Sequence, residues 1–171
     1  ALYLLGTLLF HRLAVKLWTD LKGPGPAALW GLWVGLLFAV HPVHAESVVW
    51  LASRKDMLAL VFGLSAVLFW RNREAQSLHA LWALFATLLA IWSKNIALTL
   101  PFVFLALDGI ERPERLRSPR FWAAWAPFGT LAIACALLSQ WVGHSVGMFT
   151  AAETGLLDTL ALQGAALWHY A

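Results

Sequence analysis

Long apolar runs dominate this sequence and limit what it can fold into. Six runs lie at residues 1–18, 27–43, 57–70, 78–93, 95–108 and 121–141. A helix needs about 20 apolar residues to cross a hydrocarbon core of about 30 Å, and the runs approach that length. The shortest of them require local thinning of the bilayer or support from neighbouring helices. The sequence therefore predicts an all-α fold, a polytopic transmembrane helix bundle with about six spans.

The composition agrees with a bilayer environment. Hydrophobic residues make up 61% of the chain and charged residues 12%, whereas about a quarter of an ordinary soluble domain is charged. Most of the 11 tryptophans flank the apolar runs, where indole rings anchor helices at the headgroup level. The single cysteine, Cys135, excludes an intrachain disulfide. Most of the basic residues behind the net charge of +3 lie in short loops between runs, so no nucleic-acid partner is expected.

Both ends of the sequence lie within apolar helical patterns. Ala1 is neither an initiator methionine nor part of a signal peptide, since no basic segment and no cleavage site follow it. We therefore expect a fragment of a longer protein. Residues 142–171 carry apolar side chains at helical spacing, which predicts an outer-face helix or the start of a seventh span.

The basic residues predict how the spans are oriented. If residues 80–107 form a hairpin with its tip at Lys94, most basic residues share one side of the membrane. This group is Arg12, Lys16, Lys22, Arg71, Arg73, Arg112, Arg115, Arg117 and Arg120. A single span over residues 80–107 would put the arginines at 71–73 and those at 112–120 on opposite sides of the membrane, against the positive-inside bias. We therefore expect a hairpin, with this group in the cytoplasm and Arg54, Lys55 and Lys94 outside.

Residues 41–56 form a polar stretch between two runs. Glu46, Trp50 and Ser53 share one helical face, which predicts an amphipathic juxtamembrane helix on the outer surface. Arg54 lies towards the polar side, where a guanidinium can bind a phosphate through two hydrogen bonds. The alternative is an ordinary loop in which Glu46 and Asp56 only neutralise Arg54.

Three further residues of this stretch have their own interpretations. Lys55 lies on the apolar side, so its ammonium can reach lipid phosphates. His41, His44 and Glu46 are residue types that bind zinc. Pro42 breaks their helical register, however, and no His-Glu-x-x-His pattern is present. We therefore predict no metal site and regard the histidines as hydrogen-bonded structural groups.

Lys94 lies between two apolar runs beside Trp92 and Asn95. A charge there is costly unless it meets an anion, which favours a functional role. The alternative is a lysine whose side chain extends to the headgroups. The more specific hypothesis is that Arg54 and Lys94 converge on one anionic ligand. Asp108 is expected to cap a helix or to pair with the cytoplasmic arginines.

Several of these motifs together resemble a known family. The string His41-Pro42-Val43-His44-Ala45-Glu46 is followed by Ser53-Arg54-Lys55-Asp56, then by Ser93-Lys94 and by a Pro101 helix that ends in Leu107-Asp108. This arrangement resembles the multi-spanning part of GT-C glycosyltransferases, in particular the TMTC-type protein O-mannosyltransferase relatives that carry tetratricopeptide repeats. The resemblance covers most of residues 1–110, and it implies that residues 1–171 are a partial transmembrane domain of this type.

The resemblance implies transfer of a sugar from a polyprenyl-phosphate donor to a protein or glycan hydroxyl. The reaction would occur on the outer face of a bacterial inner membrane or the luminal face of the endoplasmic reticulum. Arg54 and Lys94, and less directly Lys55, match positions that bind the donor phosphate. Supporting or acceptor-side roles are implied for His41, His44, Glu46 and Asp56, and no cofactor is implied.

The family's catalytic carboxylate usually lies in the first outer loop, before the part that this sequence resembles. No base is therefore predicted here, and we expect the fragment alone to be inactive. Two other functions remain open from the residues: an anion-selective channel or transporter, and a structural membrane scaffold. Transporters often show broken helices and internal repeats, whereas the polar residues here gather at one surface.

Overall fold

A computed structural model describes residues 1–23, 25–45, 49–50, 53–74 and 77–145. Within these ranges six α-helices follow one another. They are α1 (Leu2–Lys22), α2 (Ala27–Val40), α3 (Arg54–Arg71), α4 (Ser77–Ser93), α5 (Leu100–Glu111) and α6 (Pro119–Ser145). The described residues contain no strand, which confirms the all-α class for this part of the chain. The chain forms two compact units, Ala1–Ala136 and Leu137–Ala171.

The helices match the apolar runs closely, with two exceptions at prolines. α2 ends at Val40 rather than at residue 43, because His41 is extended (φ −67°, ψ 125°), as is common before a proline. The run 95–108 is wrong as a single α-helix, since Asn95–Thr99 forms a 3₁₀ turn before α5. Pro101 lacks an N–H group and fits best in a first helical turn, so α5 begins one residue before it.

The predicted amphipathic helix through residues 46–56 is wrong as a continuous element. Trp50 is not helical, and Ser53 N–H donates to the Trp50 carbonyl at 3.1 Å. This i to i+3 bond closes a tight turn, and α3 starts only at Arg54. Glu46 lies outside the described residues, as does nearly all of the predicted outer segment 142–171.

Ion pairs at the two ends of α3 show the direction of the neighbouring helices. At one end, Lys94 Nζ lies 2.8 Å from Asp56 Oδ1. At the other end, Arg73 Nη2 lies 3.2 Å from Asp108 Oδ1, and Arg71 contacts Glu111. The chain therefore reverses at Lys94, which confirms the predicted hairpin and its separation from the arginine-rich end.

The first two helices pack closely through glycines. A Cβ atom added at Gly31 would lie 2.2 Å from Val15 Cγ2, and one at Gly35 would lie 3.3 Å from His11 Cβ. Small residues four positions apart let helix backbones approach in this way. The stacked rings of Trp18 and Trp30, 5.0 Å apart, extend the contact.

The main core lies around Trp70, which is fully buried. Its indole stacks on Phe104 at 5.0 Å and meets Phe128 edge-on at 5.0 Å. Ala66 and Ala83 supply the small neighbours that leave room for these rings. The general prediction that the flanking tryptophans anchor the headgroup region is therefore wrong for Trp70. Its position at the end of an apolar run is equally compatible with a core.

One described helix, at Pro119–Gly143, is long and apolar enough to cross a membrane, with a mean hydropathy of 1.7. Two shorter apolar helices are found at Ala27–Val40 and Leu78–Ser93. The all-α class with six helices is thus established for the described residues, whereas a polytopic bundle and the number of its spans stay predictions.

Candidate functional site

An apolar groove runs along α3 and is the most distinctive cavity near the predicted site residues. Its volume is about 450 Å³. α3 lines it with Ala59, Gly63 and Val67, and α5 lines it with Val103 and Leu107. The groove reaches from Asp56 to Val67 along the helix, about 16 Å at 1.5 Å per residue. That length is about half of a hydrocarbon core of about 30 Å, or the depth of one leaflet.

Asp56 and Lys94 form the charged end of this groove and are its only charged lining residues among those described. Lys94 is extended between α4 and the following 3₁₀ turn, and its side chain is 42% exposed. Asp56 lies in the first turn of α3, where the helix dipole favours a carboxylate. Its buried Oδ1 accepts no directed hydrogen bond from the described residues, so the approach of Lys94 is an ion pair.

The ion pair changes the role expected for Asp56. The sequence predicts a supporting or acceptor-side role for Asp56, or neutralisation of Arg54, whereas the structure places its carboxylate against Lys94. Both side chains of the pair are partly exposed, 42% for Lys94 and 25% for Asp56, so the pair contributes about 1 kcal/mol or less. An incoming phosphate with more charge and more acceptor oxygens can therefore take the lysine from the carboxylate.

Arg54 and Lys55 are the first two residues of α3, and both are exposed. Neither forms an ion pair with another described residue. Arg54 precedes Asp56 by two positions, a rise of about 3 Å. Arg54 and Lys55 thus lie in the first turn of α3, near Asp56, but neither lines the groove. The convergence of Arg54 and Lys94 on one anionic ligand stays a prediction.

His41 and His44 belong to a separate cluster at the end of α2. The His44 ring lies 4.3 Å from Phe38 and 5.7 Å from Tyr3, centre to centre. The Tyr3 hydroxyl donates to the Phe38 and Ala39 carbonyls at 3.1 and 2.8 Å. The cluster thus closes the end of α2 and does not line the groove. The described residues hold no group of three His, Cys, Asp or Glu side chains that suits a metal.

Asp108 organises the opposite end of the helices. The residue is 6% exposed. Its Oδ2 accepts a hydrogen bond from Trp70 Nε1 at 2.6 Å, and its Oδ1 lies 3.2 and 3.3 Å from Arg73 and Arg115. The prediction that Asp108 pairs with arginines is confirmed. The sequence predicts only that Arg115 orients the spans. In the structure Arg115 also forms ion pairs with both Asp108 and Glu74.

Sequence reasoning missed the groove, although one signal for it exists. Ala59 and Gly63 are small and four residues apart, so they leave a shallow face on α3. Comparison of the chain with protein families, with characterised proteins and with solved structures gives no match.

Proposed function

We propose that this chain is part of an integral-membrane glycosyltransferase. It moves a sugar from a polyprenyl-phosphate donor to a hydroxyl group of a protein or glycan. The observation that carries the proposal is the apolar groove whose one charged end holds Lys94. Such a groove suits an amphiphile with a long apolar chain and an anionic head. The motif resemblance in residues 41–56 and 93–108 supplies the transferase chemistry.

The exposed side chains support the bilayer placement that this function requires. Leu37 is 65% exposed, Leu81 64% and Ile133 63%, on three different helices. Large exposed apolar surfaces are rare on soluble monomers and mark contact with lipid or a partner. We place the Lys94 end on the extracytoplasmic or luminal side, because the arginine-rich end follows the positive-inside bias.

In the proposed reaction, the bond between the anomeric carbon and the donor phosphate breaks as the acceptor oxygen attacks that carbon. The leaving polyprenyl phosphate keeps the electron pair, and a base takes the acceptor proton. Lys94 and Arg54 stabilise the charge that develops on the leaving phosphate. Asp56 holds Lys94 in place before the donor arrives. No residue of this chain is assigned as the base.

The groove also bears on the alternative of an anion channel. An anion path needs polar groups along its length, whereas the described groove wall is apolar beyond Asp56, Lys94 and Thr99, which all lie near one end. This contrast supports binding of a lipid chain over conduction of an ion.

Transfer by the intact protein tests the proposal. Sugar transfer from a polyprenyl-phosphate sugar is measured in membranes with matched expression of each variant. We expect Lys94→Gln to lower the rate by about 10²-fold, the usual effect of removing one group that stabilises the transition state. The control is Lys22→Gln, which removes the same charge at the last residue of α1. Lys22 does not line the groove, so this variant should transfer normally. Equal rates for both variants would contradict the proposal.

A second variant separates donor binding from simple stabilisation by the ion pair. Asp56→Asn removes the carboxylate that competes with phosphate for Lys94, so affinity for polyprenyl phosphate should be kept or increased. If the ion pair only stabilises the fold, Asp56→Asn and Lys94→Gln should unfold alike and neither should change affinity.

A further inference from the structure

We propose a second binding site, for the phosphate headgroup of an anionic phospholipid, at the arginine-rich end of the helices. A cavity of about 450 Å³ opens there between the loop after α3 and the start of α6. Its polar lining includes Arg73, Arg115, Arg120, Glu74 and Ser118. The site is separate from the groove and takes a different lipid.

The charge of the lining favours an anion. Three arginines face one glutamate, so the lining carries a net charge of +2 (3 − 1). Asp108 does not line the cavity but pairs with Arg73 and Arg115, which leaves a positive excess of one. Guanidinium groups recognise phosphate oxygens through paired, charge-assisted hydrogen bonds.

Two of the arginines are held in place before any ligand binds. The Arg73 side chain is 8% exposed and its guanidinium lies 3.9 Å above the Trp70 ring. The Arg115 side chain is 18% exposed and contacts Glu74. Side chains that are already ordered lose little entropy on binding. The third, Arg120, is exposed and forms no ion pair with a described residue, so its donors are available.

The start of α6 adds the positive end of its dipole and the Arg120 N–H group to the same cavity, since Pro119 has no N–H and the Phe121 N–H donates to the Ser118 carbonyl at 3.1 Å. Ser118 and Arg120, on either side of the first residue of this helix, both line it. The first N–H groups of a helix lack helical acceptors and carry the positive end of the dipole. Phosphate groups bind readily at such positions.

The surroundings indicate a lipid rather than free phosphate. Phe121 and Ala124 form an apolar wall of the cavity along α6, the helix whose length and hydropathy suit a membrane span. Trp122 is 46% exposed, and its Nε1 donates to the Leu116 carbonyl at 2.8 Å. A partly exposed indole at the end of an apolar helix is typical of the headgroup level. Basic pockets at that level on the cytoplasmic side bind anionic headgroups.

The experiment measures binding of phosphatidylglycerol to the intact protein in detergent micelles, by native mass spectrometry. We expect Arg120→Gln to weaken binding about tenfold, the effect of one lost charge-assisted contact. The matched control is Arg117→Gln, which removes the same charge at an exposed residue outside the cavity and should bind normally. Equal affinities of the two variants would overturn the proposal.

Two further arms identify the ligand. Diacylglycerol, which lacks the phosphate, should bind much more weakly, and equal binding would overturn the headgroup assignment. Inorganic phosphate should not displace the lipid at millimolar concentration, and displacement would show a site for the free ion instead. The inference rests on the bilayer placement in the proposed function but not on the chemistry. If Lys94→Gln abolishes transfer and still binds phosphatidylglycerol normally, the two sites are independent as proposed.

Discussion

Replacement of Asp108 by alanine removes the carboxylate that joins α3 to α5 at the arginine-rich end. The substitution leaves the Trp70 N–H group without its 2.6 Å acceptor in a fully buried position. It also leaves Arg73, whose side chain is 8% exposed, without its carboxylate. Arg115 keeps Glu74 as a partner, so its loss is partly compensated.

The expected magnitude follows from these contacts. Removing one partner of a buried ion pair costs about 3–5 kcal/mol, and a buried donor without an acceptor costs about 1–3 kcal/mol. These contributions share one side chain and do not add fully. We therefore expect Asp108→Ala to lower the free energy of unfolding by about 4 kcal/mol. Asp108→Asn keeps an oxygen for Trp70 and should cost less.

The assay is reversible unfolding of the intact protein in mixed detergent micelles, followed by tryptophan fluorescence. The control is Glu114→Ala, an exposed carboxylate in the Pro113–Arg117 turn with no ion pair to a described residue; it should unfold like the wild type. A loss for Asp108→Ala below about 1 kcal/mol, or equal to that of the control, would refute the reasoning about the buried network.

Gly31→Ala should destabilise the protein by about 1–3 kcal/mol, because the added Cβ meets Val15 Cγ2 at 2.2 Å; Gly25→Ala, with open space around it, should not. Unchanged unfolding of Gly31→Ala would disprove the close contact of α1 with α2. Arg54→Lys should slow transfer by about 10²-fold, since an ammonium cannot replace two-point phosphate contact, whereas Lys55→Ala should have little effect. The reverse order would place the phosphate at Lys55. In a Cys135→Ser background, Arg117→Cys should react with impermeant reagents only from the cytoplasmic side, and labelling from outside would reverse the orientation.

The sequence predicts well what local patterns and charge determine. Hydrophobic runs locate the helices, because each needs only its own residues to be apolar. The hairpin at Lys94 follows from the distribution of arginines, and Asp108 follows from its position before an arginine-rich loop. The 3₁₀ turn before α5 could also be anticipated, since Pro101 fits only near the start of a helix.

Other features depend on which helix faces pack together. Periodicity does not determine this choice when the helices are apolar on nearly every side. Trp70 has the same flanking arginine as a membrane anchor, yet Phe104 and Phe128 bury it. The pairing of Asp56 with Lys94 joins residues 38 positions apart (94 − 56). The groove depends on how α3, α5 and the 3₁₀ turn before α5 come together, with small residues on α3.

Filling the groove tests the central claim most directly. A Cβ atom added at Gly63 would have ordinary contacts with Leu100, at 3.7 Å, so a leucine placed there has no clash at its Cβ atom. Its side chain would occupy the middle of the groove, away from Asp56 and Lys94. The measurement is the dissociation constant of polyprenyl phosphate for the intact protein, by native mass spectrometry. We predict that Gly63→Leu binds at least about tenfold more weakly, a loss of about 1.4 kcal/mol, whereas Gly25→Leu binds like the wild type. Unchanged binding by Gly63→Leu would show that the groove does not hold the donor lipid.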